Sequence, residues 1–331
     1  MIVVTGAAGH IGNVLIRELV SRGESIKAIV LPGEDISPLD GLKVQILAGD
    51  IRDKNFLISV FNQANTVYHL AGLISIVPGN KALLNSVNAA GTRNVVDACL
   101  QAGVKRLVYA SSIHAVKEPP HGTVIDESCP YDPDAVLGDY AKSKALATIE
   151  VLKGIGRGLD AIIVCPTGVI GPYDFKISEM GTLIQDFINQ KLKIYIDGAY
   201  DFVDVRDVAK GLILAGDKGK RGESYILSGQ RISVHDLLHE LQKITGIRAP
   251  LFRAPVRLVR AIGVLITPFY RLFKTKPLFT AYSIDVLQSN SFVSSEKATR
   301  ELGYTKRSVK ESIADTVIWL KTRKPELGAA L

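Results

Sequence analysis

The chain of 331 residues carries 40 Lys plus Arg against 33 Asp plus Glu, is 47% hydrophobic and contains three cysteines. That composition can build a sizeable core and excludes a disordered chain, a collagen repeat and a disulfide scaffold. The net charge of +7 is regional: Leu241 to Ile284 holds eight basic residues and no Asp or Glu, and the rest of the chain has 32 basic against 33 acidic residues.

In chain order, strands are expected at Ile2 to Thr5, Ile26 to Leu31, Val44 to Leu47, Thr66 to Leu70, Arg106 to Ala110 and Ala161 to Cys165. Amphipathic helices fall between them, notably Asn13 to Ser21, Leu83 to Ala102 and Tyr140 to Lys153. This βαβ alternation, with strands too apolar to have a wet face, predicts an α/β fold with a doubly wound parallel sheet. After Gly171-Pro172 the elements shorten, with helical runs near Glu179 to Asn189, Val205 to Ala215, Val234 to Ile244 and Lys310 to Leu320. Residues 1–171 are read as a Rossmann-type cofactor domain and 172–331 as mainly a smaller substrate-binding lobe, some of whose segments can return to the sheet. Lys321 to Leu331 reads as a frayed tail.

Cys99, Cys129 and Cys165 form no CxxC pair, so a reducing, cytoplasmic setting is expected. The first strand-like run begins at Ile2 and leaves no room for a signal peptide. Ala261 to Tyr270 is about half the ~20 apolar residues that a bilayer span needs.

The run TGAAGHIG, Thr5 to Gly12, follows the first strand and opens the first helix. Gly6, Gly9 and Gly12 permit a tight turn, close approach of backbone to a pyrophosphate and close packing of helix on sheet, with His10 and Ile11 at the helix start facing the phosphates. An acid that holds an adenosine ribose should stand about 20 residues on, where the sequence has Pro32. Glu34 or Asp35 could reach back to the hydroxyls, or form a solvated turn. The absence of an Arg there gives a lean to NAD over NADP. Asp50, before Ile51 at the end of the third strand, could accept a hydrogen bond from the adenine amino group or cap the helix that follows.

Tyr140 and Lys144 stand four apart in YAKSK and share one face of a helix. A nearby ammonium lowers a tyrosine pKa from its usual ~10, which would make Tyr140 a proton donor or acceptor for a carbonyl or alcohol. Ser112, in YASSIHAV at a strand end, could hydrogen-bond the same oxygen.

Eight motifs in order, TGAAGHIG at 5, DIRD at 50, YHLAG at 68, VNAAGTRNVVDAC at 87, YASS at 109, YAKSK at 140, PTGVIGP at 166 and FVDVRDVA at 202, resemble the extended short-chain dehydrogenase/reductases of the NAD-dependent epimerase/dehydratase superfamily. The resemblance implies that Ser112, Tyr140 and Lys144 are catalytic and that Asn88 supports the proton relay. It also implies that Asp50 and Ile51 meet the cofactor, that Leu70, Ala71 and Gly72 line its channel, and that Pro166, Gly168 and Val169 face the nicotinamide beside Tyr140 and Lys144. Dehydratases of this group carry an acidic pair after the catalytic hydroxyl residue, where this chain has Ile113 and His114. Sugar-nucleotide enzymes typically carry an Asn and an Arg where it has Thr167-Gly168 and Tyr200. PTGVIGPYD, YASSIHAV and SSEKATRELGY with Trp319 instead resemble the dihydroflavonol reductase and 3β-hydroxysteroid dehydrogenase branch. That implies an NAD(P)-dependent oxidoreductase acting on a ketone or secondary alcohol of a hydrophobic molecule, with Ile113, His114 and Tyr173 as candidate substrate contacts. The competing readings are a nucleotide-sugar epimerase with tightly bound NAD and a regulator that binds NAD(P) without chemistry.

His235 and His239 have helical metal-ligand spacing, but no third ligand or HExxH accompanies them, and no metal is expected. His10 and His69 read as polar groups near the phosphates or the sheet edge, and Asp204 and Asp207 as helix caps. Arg253, Arg257, Arg260, Arg271 and Lys274 recur at helical spacing among apolar residues. Residues 253–276 therefore read either as a lobe face with solvated charges or as a peripheral membrane contact. A homodimer is left open, and nucleic-acid binding has no accompanying module.

Overall fold

The computed structural model describes residues 1–75, 79–256, 259 and 281–322. The chain runs through β1 (Ile2–Thr5), α1 (His10–Ser21), β2 (Ile26–Val30), β3 (Gln45–Ala48), α2 (Lys54–Phe61) and β4 (Thr66–His69). It continues through α3 (Lys81–Leu84), a π-helical turn (Asn85–Ala90), α4 (Gly91–Gln101), β5 (Arg106–Ala110), α5 (Gly138–Gly156), β6 (Ala161–Pro166) and β7 (Gly168–Ile170). The second half adds α6 (Glu179–Ile188), β8 (Ile194–Ile196), β9 (Ala199–Asp204), α7 (Val205–Lys218), β10 (Ser224–Leu227), β11 (Gln230–Ser233) and α8 (Val234–Thr245). After β12 (Phe252–Ala254) come α9 (Ala281–Leu287), α10 (Glu296–Leu302) and α11 (Val309–Thr322).

Seven strands form one parallel sheet in the order β3-β2-β1-β4-β5-β6-β10. β1 and β6 are buried at every position, as strands covered on both faces must be. One core, with Leu15, Ile16, Leu212 and Tyr225, covers the face under α1 and α7. A second, with Phe61, Val95 and Val151, covers the face under α2, α4 and α5. The order reverses between β1 and β4, so the two crossovers leave a crevice at the carboxyl ends of those strands, where dinucleotides bind in such sheets.

The expected strands all form, with ends that differ by a residue. Two segments of the second half return to this unit: α7 packs on the sheet and β10 pairs with β6. β7, β9 and β11 form a three-stranded sheet and β8 pairs with β12. A third core, including Ile184, Phe187, Leu238 and Ile313, joins α6, α8 and α11. The helix expected over Leu83 to Ala102 is broken by the π turn. Lys321 and Thr322, expected in a frayed tail, complete α11.

Asp204 does cap α7, accepting from Arg206 N–H at 2.8 Å. Asp207 has a different task. Its carboxylate accepts from the backbone N–H of Arg307 at 2.8 Å and from its guanidinium at 3.0 Å, tying the approach to α11 onto α7. Among the described residues no helix is long and apolar enough to cross a membrane. Most of the basic stretch 253–276 lies outside the described residues; Arg253 pairs with Asp197 at 2.9 Å.

The Asp207 side chain is only 6% exposed, and removing its cation leaves a buried charge uncompensated. Arg307→Leu should lower the unfolding free energy by roughly 3 kcal/mol, read from denaturant midpoints, and Asp207→Asn in that background should recover part of the loss.

Candidate functional site

At the carboxyl end of β1 the backbone turns sharply at Gly6, which has φ +69°. A Cβ on Gly6 would lie 2.7 Å from Ala71 N, and one on Gly12 2.1 Å from Gly6 O, so neither position admits a side chain without displacement. α1 begins at the N-cap Gly9 with no capping side chain and no acid in its first turn, whereas Asp53, Ser178, Asp204 and Ser233 cap α2, α6, α7 and α8. Its N-terminal N–H groups and dipole are thus free of a competing anion, as a pyrophosphate requires. His10 is turned aside, Nε2 lying 2.9 Å from Pro172 O.

Thr5 Oγ1 lies 2.8 Å from His69 Nδ1 and accepts the Ala71 N–H at 3.1 Å, while His69 Nε2 lies 3.0 Å from Thr92 Oγ1. Burial, with the Lys144 charge, pulls the His69 pKa down to about 3. His69 is therefore a neutral brace of the crevice, a role that sequence reading missed; two hydroxyl residues facing one buried histidine are too far apart in the chain to signal it.

Leu70 and Ala71 are held against β1 by N–H bonds to Thr5 O and Thr5 Oγ1. Gly72 lies close enough to Asn88 that a Cβ would stand 3.3 Å from Asn88 Oδ1. Asn88 exchanges two hydrogen bonds with the backbone of Leu73, at 2.7 and 2.9 Å, and donates to Ser143 Oγ at 2.9 Å. It fixes the channel wall to the helix that carries Tyr140 and Lys144.

Asp50 neither caps α2 nor stands alone: its carboxylate grips Arg52, 2.6 Å from Nη2, and that bond holds its pKa below the usual value. Asp53 is the cap, accepting from Phe56 N–H at 3.0 Å. Ile51 is buried and packs where Gly91 lacks a side chain. At the end of β2, Glu34 accepts the Leu31 N–H at 2.8 Å and pairs with Lys176, while Asp35 closes a turn onto Ser37 N–H.

Ser112 follows β5 and Tyr140 stands in the first turn of α5. Burial raises the Tyr140 pKa, and the nearby Ser112 hydroxyl opposes the rise only in part. Lys144, 6% exposed, donates from Nζ to Ala110 O at 2.7 Å and lies 4.6 Å above the Tyr109 ring. Burial lowers its pKa to about 7. The expected depression of the Tyr140 pKa by the Lys144 ammonium is thus replaced by a rise from burial, because Lys144 is spent on a carbonyl and a ring face.

Ile113 is buried beside Ser112, and His114 meets Tyr200. Tyr173 lies instead on α1, under the Arg17 guanidinium at 4.7 Å, with its carbonyl 3.1 Å from Asn13 Nδ2. Pro166 ends β6, and Gly168 and Val169 form β7, where Gly168 faces the Tyr200 and Phe202 rings. The rings of His235 and His239 lie 4.4 Å apart on α8 with planes inclined by 59°, and no cluster of three metal-ligating side chains gathers among the described residues.

Gly12→Ala should weaken cofactor binding more than tenfold and cost about 1–3 kcal/mol of stability, measured by calorimetry and denaturation. A second prediction concerns pH. Burial pulls His114 to about 4 and, with the Lys144 charge, His69 to about 3, against an ordinary value of 6.5. Below pH 6.5 the unfolded chain takes up protons that the folded chain refuses. Stability should fall as pH drops from 6.5 toward 4, by up to about 1.4 kcal/mol per pH unit for each histidine. Denaturant midpoints at several pH values check this, and His69→Gln should remove about half the slope.

The chain and its fold have counterparts among known proteins. The model of the NAD dependent epimerase/dehydratase family matches residues 2–228. The sterol demethylase protein B of Methylococcus capsulatus is 36% identical over 97% of this chain and 98% of its own length. A putative dihydroflavonol 4-reductase of Synechocystis is 30% identical over 96% of this chain and 94% of its own. The crystal structure of gox2253 superposes with a TM-score of 0.86 at 32% identity, covering 98% of both chains. The chain belongs to the NAD dependent epimerase/dehydratase family and is an NAD(P)-dependent oxidoreductase of the extended short-chain dehydrogenase/reductase type.

Proposed function

We propose that the protein interconverts a ketone and a secondary alcohol on a hydrophobic, sterol-like molecule, with Tyr140 carrying the proton and Ser112 holding the same oxygen. The observation that carries this reading is the convergence of Ser112 and Tyr140, from the end of β5 and the start of α5, on the His114 backbone N–H and ring, next to a buried amine. The open α1 N-terminus and the crowded glycines 6 and 12 fit a dinucleotide, and bound NAD(P) supplies the hydride donor or acceptor. Gly6, Gly9, Ile11 and Gly12 would hold its phosphates, and Lys144 with Gly72, Pro166 and Gly168 its nicotinamide half.

Burial keeps the Tyr140 phenol protonated at neutral pH, the form that donates its Oη proton to the oxygen of a ketone being reduced. In the opposite direction the alcohol proton returns to the same oxygen. Ser112 donates to the reacting oxygen and fixes its distance from Tyr140. Lys144, with a pKa near 7, can exchange a proton at Nζ while Ala110 O keeps it in place.

Support for a hydrophobic substrate comes from the names of two relatives, one for a sterol and one for a dihydroflavonol. Thr167-Gly168 and Tyr200 stand where sugar-nucleotide enzymes typically carry an Asn and an Arg, which weighs against the epimerase reading. The preference for NAD rests on Glu34, whose carboxylate lies at the end of β2 and would repel a 2′-phosphate; Lys176 offsets part of that charge.

With a ketosteroid as probe, the protein should consume reduced cofactor as the ketone disappears, NADH more readily than NADPH. Tyr140→Phe should lower kcat by about 10² or more while leaving cofactor affinity within about twofold. Full activity in that variant, or NAD retained through purification with no net cofactor change, would overturn the proposal.

A further inference from the structure

Two side chains that the proposed chemistry does not use meet beside it. His114 lies in the tight turn Ile113–Ala115 that follows Ser112, and Tyr200 lies on β9 of the three-stranded sheet. Their side chains approach with His114 Nε2 2.9 Å from the Tyr200 hydroxyl. The rings stack, with centroids 5.8 Å apart and planes inclined by 20°.

His114 also reaches the other way. Its ring meets Tyr140 edge to face, with centroids 6.2 Å apart and planes at 74°. Its backbone N–H donates to Ser112 Oγ at 3.2 Å. One residue therefore contacts both hydroxyl-bearing members of the proposed centre and is held on its far side by a tyrosine.

Tyr200 is itself firmly seated. It packs against both the core beneath α5 and the core of the second sheet. Its ring occupies space left free at Gly168, where a Cβ would come within 2.8 Å of Tyr200 Cε1. The next residue, Asp201, is buried and accepts from Thr167 Oγ1 at 2.7 Å and from the Gly229 N–H at 2.8 Å. Tyr200 cannot shift without moving the strand that Asp201 anchors. Burial lowers His114 to about 4, so the histidine enters this contact uncharged at neutral pH.

We propose that Tyr200, acting through His114, positions Tyr140 and Ser112, so that the seating of the three-stranded sheet sets the distance between the two catalytic hydroxyls. The pair are positioning residues, and the proposal rests on the reading of Tyr140 as the proton carrier. It accounts for a pairing that neither residue's neighbours in sequence explain: one partner comes from the turn after β5 and the other from a strand of the second sheet.

The test compares His114→Ala, His114→Gln, Tyr200→Phe and the double variant His114→Ala/Tyr200→Phe, with Tyr140→Phe as control. Two readouts are used: NADH-dependent reduction of the ketosteroid probe, and pH titration of the Tyr140 Cζ resonance in protein labelled with 13C-tyrosine, which Tyr140→Phe assigns and which needs no turnover. His114→Ala should lower kcat about tenfold or more with the cofactor KM unchanged. Tyr200→Phe, which keeps the ring and deletes the hydroxyl, should lower kcat about threefold. The double variant should be no worse than His114→Ala, since the two act in series. His114→Gln, which can still bond the Tyr200 hydroxyl, should recover most of the loss. The Tyr140 titration should move in His114→Ala and Tyr200→Phe and stay near wild type in His114→Gln.

Wild-type kcat and an unmoved Tyr140 titration in both His114→Ala and Tyr200→Phe overturn the proposal. A fall in melting temperature with an unmoved titration assigns the pair a purely structural role and overturns it equally. Should Tyr140→Phe itself retain full activity, the underlying reading of Tyr140 fails instead, and the titration alone decides whether His114 and Tyr200 hold that side chain. Should the probe ketone not be reduced, the titration decides in the same way.

Discussion

Where β1 and β4 part, Thr5 and His69 stand opposite each other in register, and the threonine hydroxyl lies 2.8 Å from His69 Nδ1. The other ring nitrogen lies 3.0 Å from the Thr92 hydroxyl on α4, and Thr5 also accepts the N–H of Ala71. One imidazole thus joins the strand that leads into the glycine turn, the strand that leads into the channel wall, and the helix behind both. The joint works only while the ring is neutral, because a charged ring enclosed there, near the Lys144 ammonium, would bear the full cost of desolvation. The crevice that receives the cofactor keeps its width through this contact.

The same economy of charge extends through the rest of the site. Asn88 is joined to Leu73 and Ser143, and Ser111 to Thr148 at 2.7 Å, all through amide, hydroxyl or carbonyl groups, while the Lys144 amine is held by a neutral acceptor, Ala110 O. Ion pairs lie further out, Arg206 with Asp204 and Arg307 with Asp207 along α7 and the approach to α11, and Asp50 with Arg52 after β3. Short bonds between neutral partners are insensitive to salt and directional, which suits the proposal that Ser112 and Tyr140 share one oxygen.

Much of the fold was legible from the chain because burial leaves a local trace. The apolar runs of β1, β4, β5 and β6 are short and continuous, as doubly covered strands must be, and the glycine run marks a turn whose backbone contacts leave no room for a side chain at Gly6 or Gly12. Partners were less legible than positions. The sequence offers Asp50 as a cap of α2, yet Asp53 takes that place and Asp50 holds Arg52. Tyr173 follows the nicotinamide-side motif, yet a left-handed backbone at φ +68° turns it onto α1. β10 has four residues, too few for its pattern to say that it returns to pair with β6. The meeting of His114 with Tyr200 lies beyond any local pattern, since 86 residues separate them.

The π turn at Asn85–Ala90 gives the helical region before β5 a property that its residue types do not disclose. A π turn accommodates one more residue than the α-helix that it interrupts, and so shifts the phase of everything on one side of it. Asn88 sits within that turn and is 1% exposed. Relaxation to regular α-helix would rotate either Asn88 or the buried face of α4 by about 100°. The length of this segment is therefore as fixed as its sequence: a relative lacking one residue here could keep the motif intact and still lose the hold of its asparagine on α5.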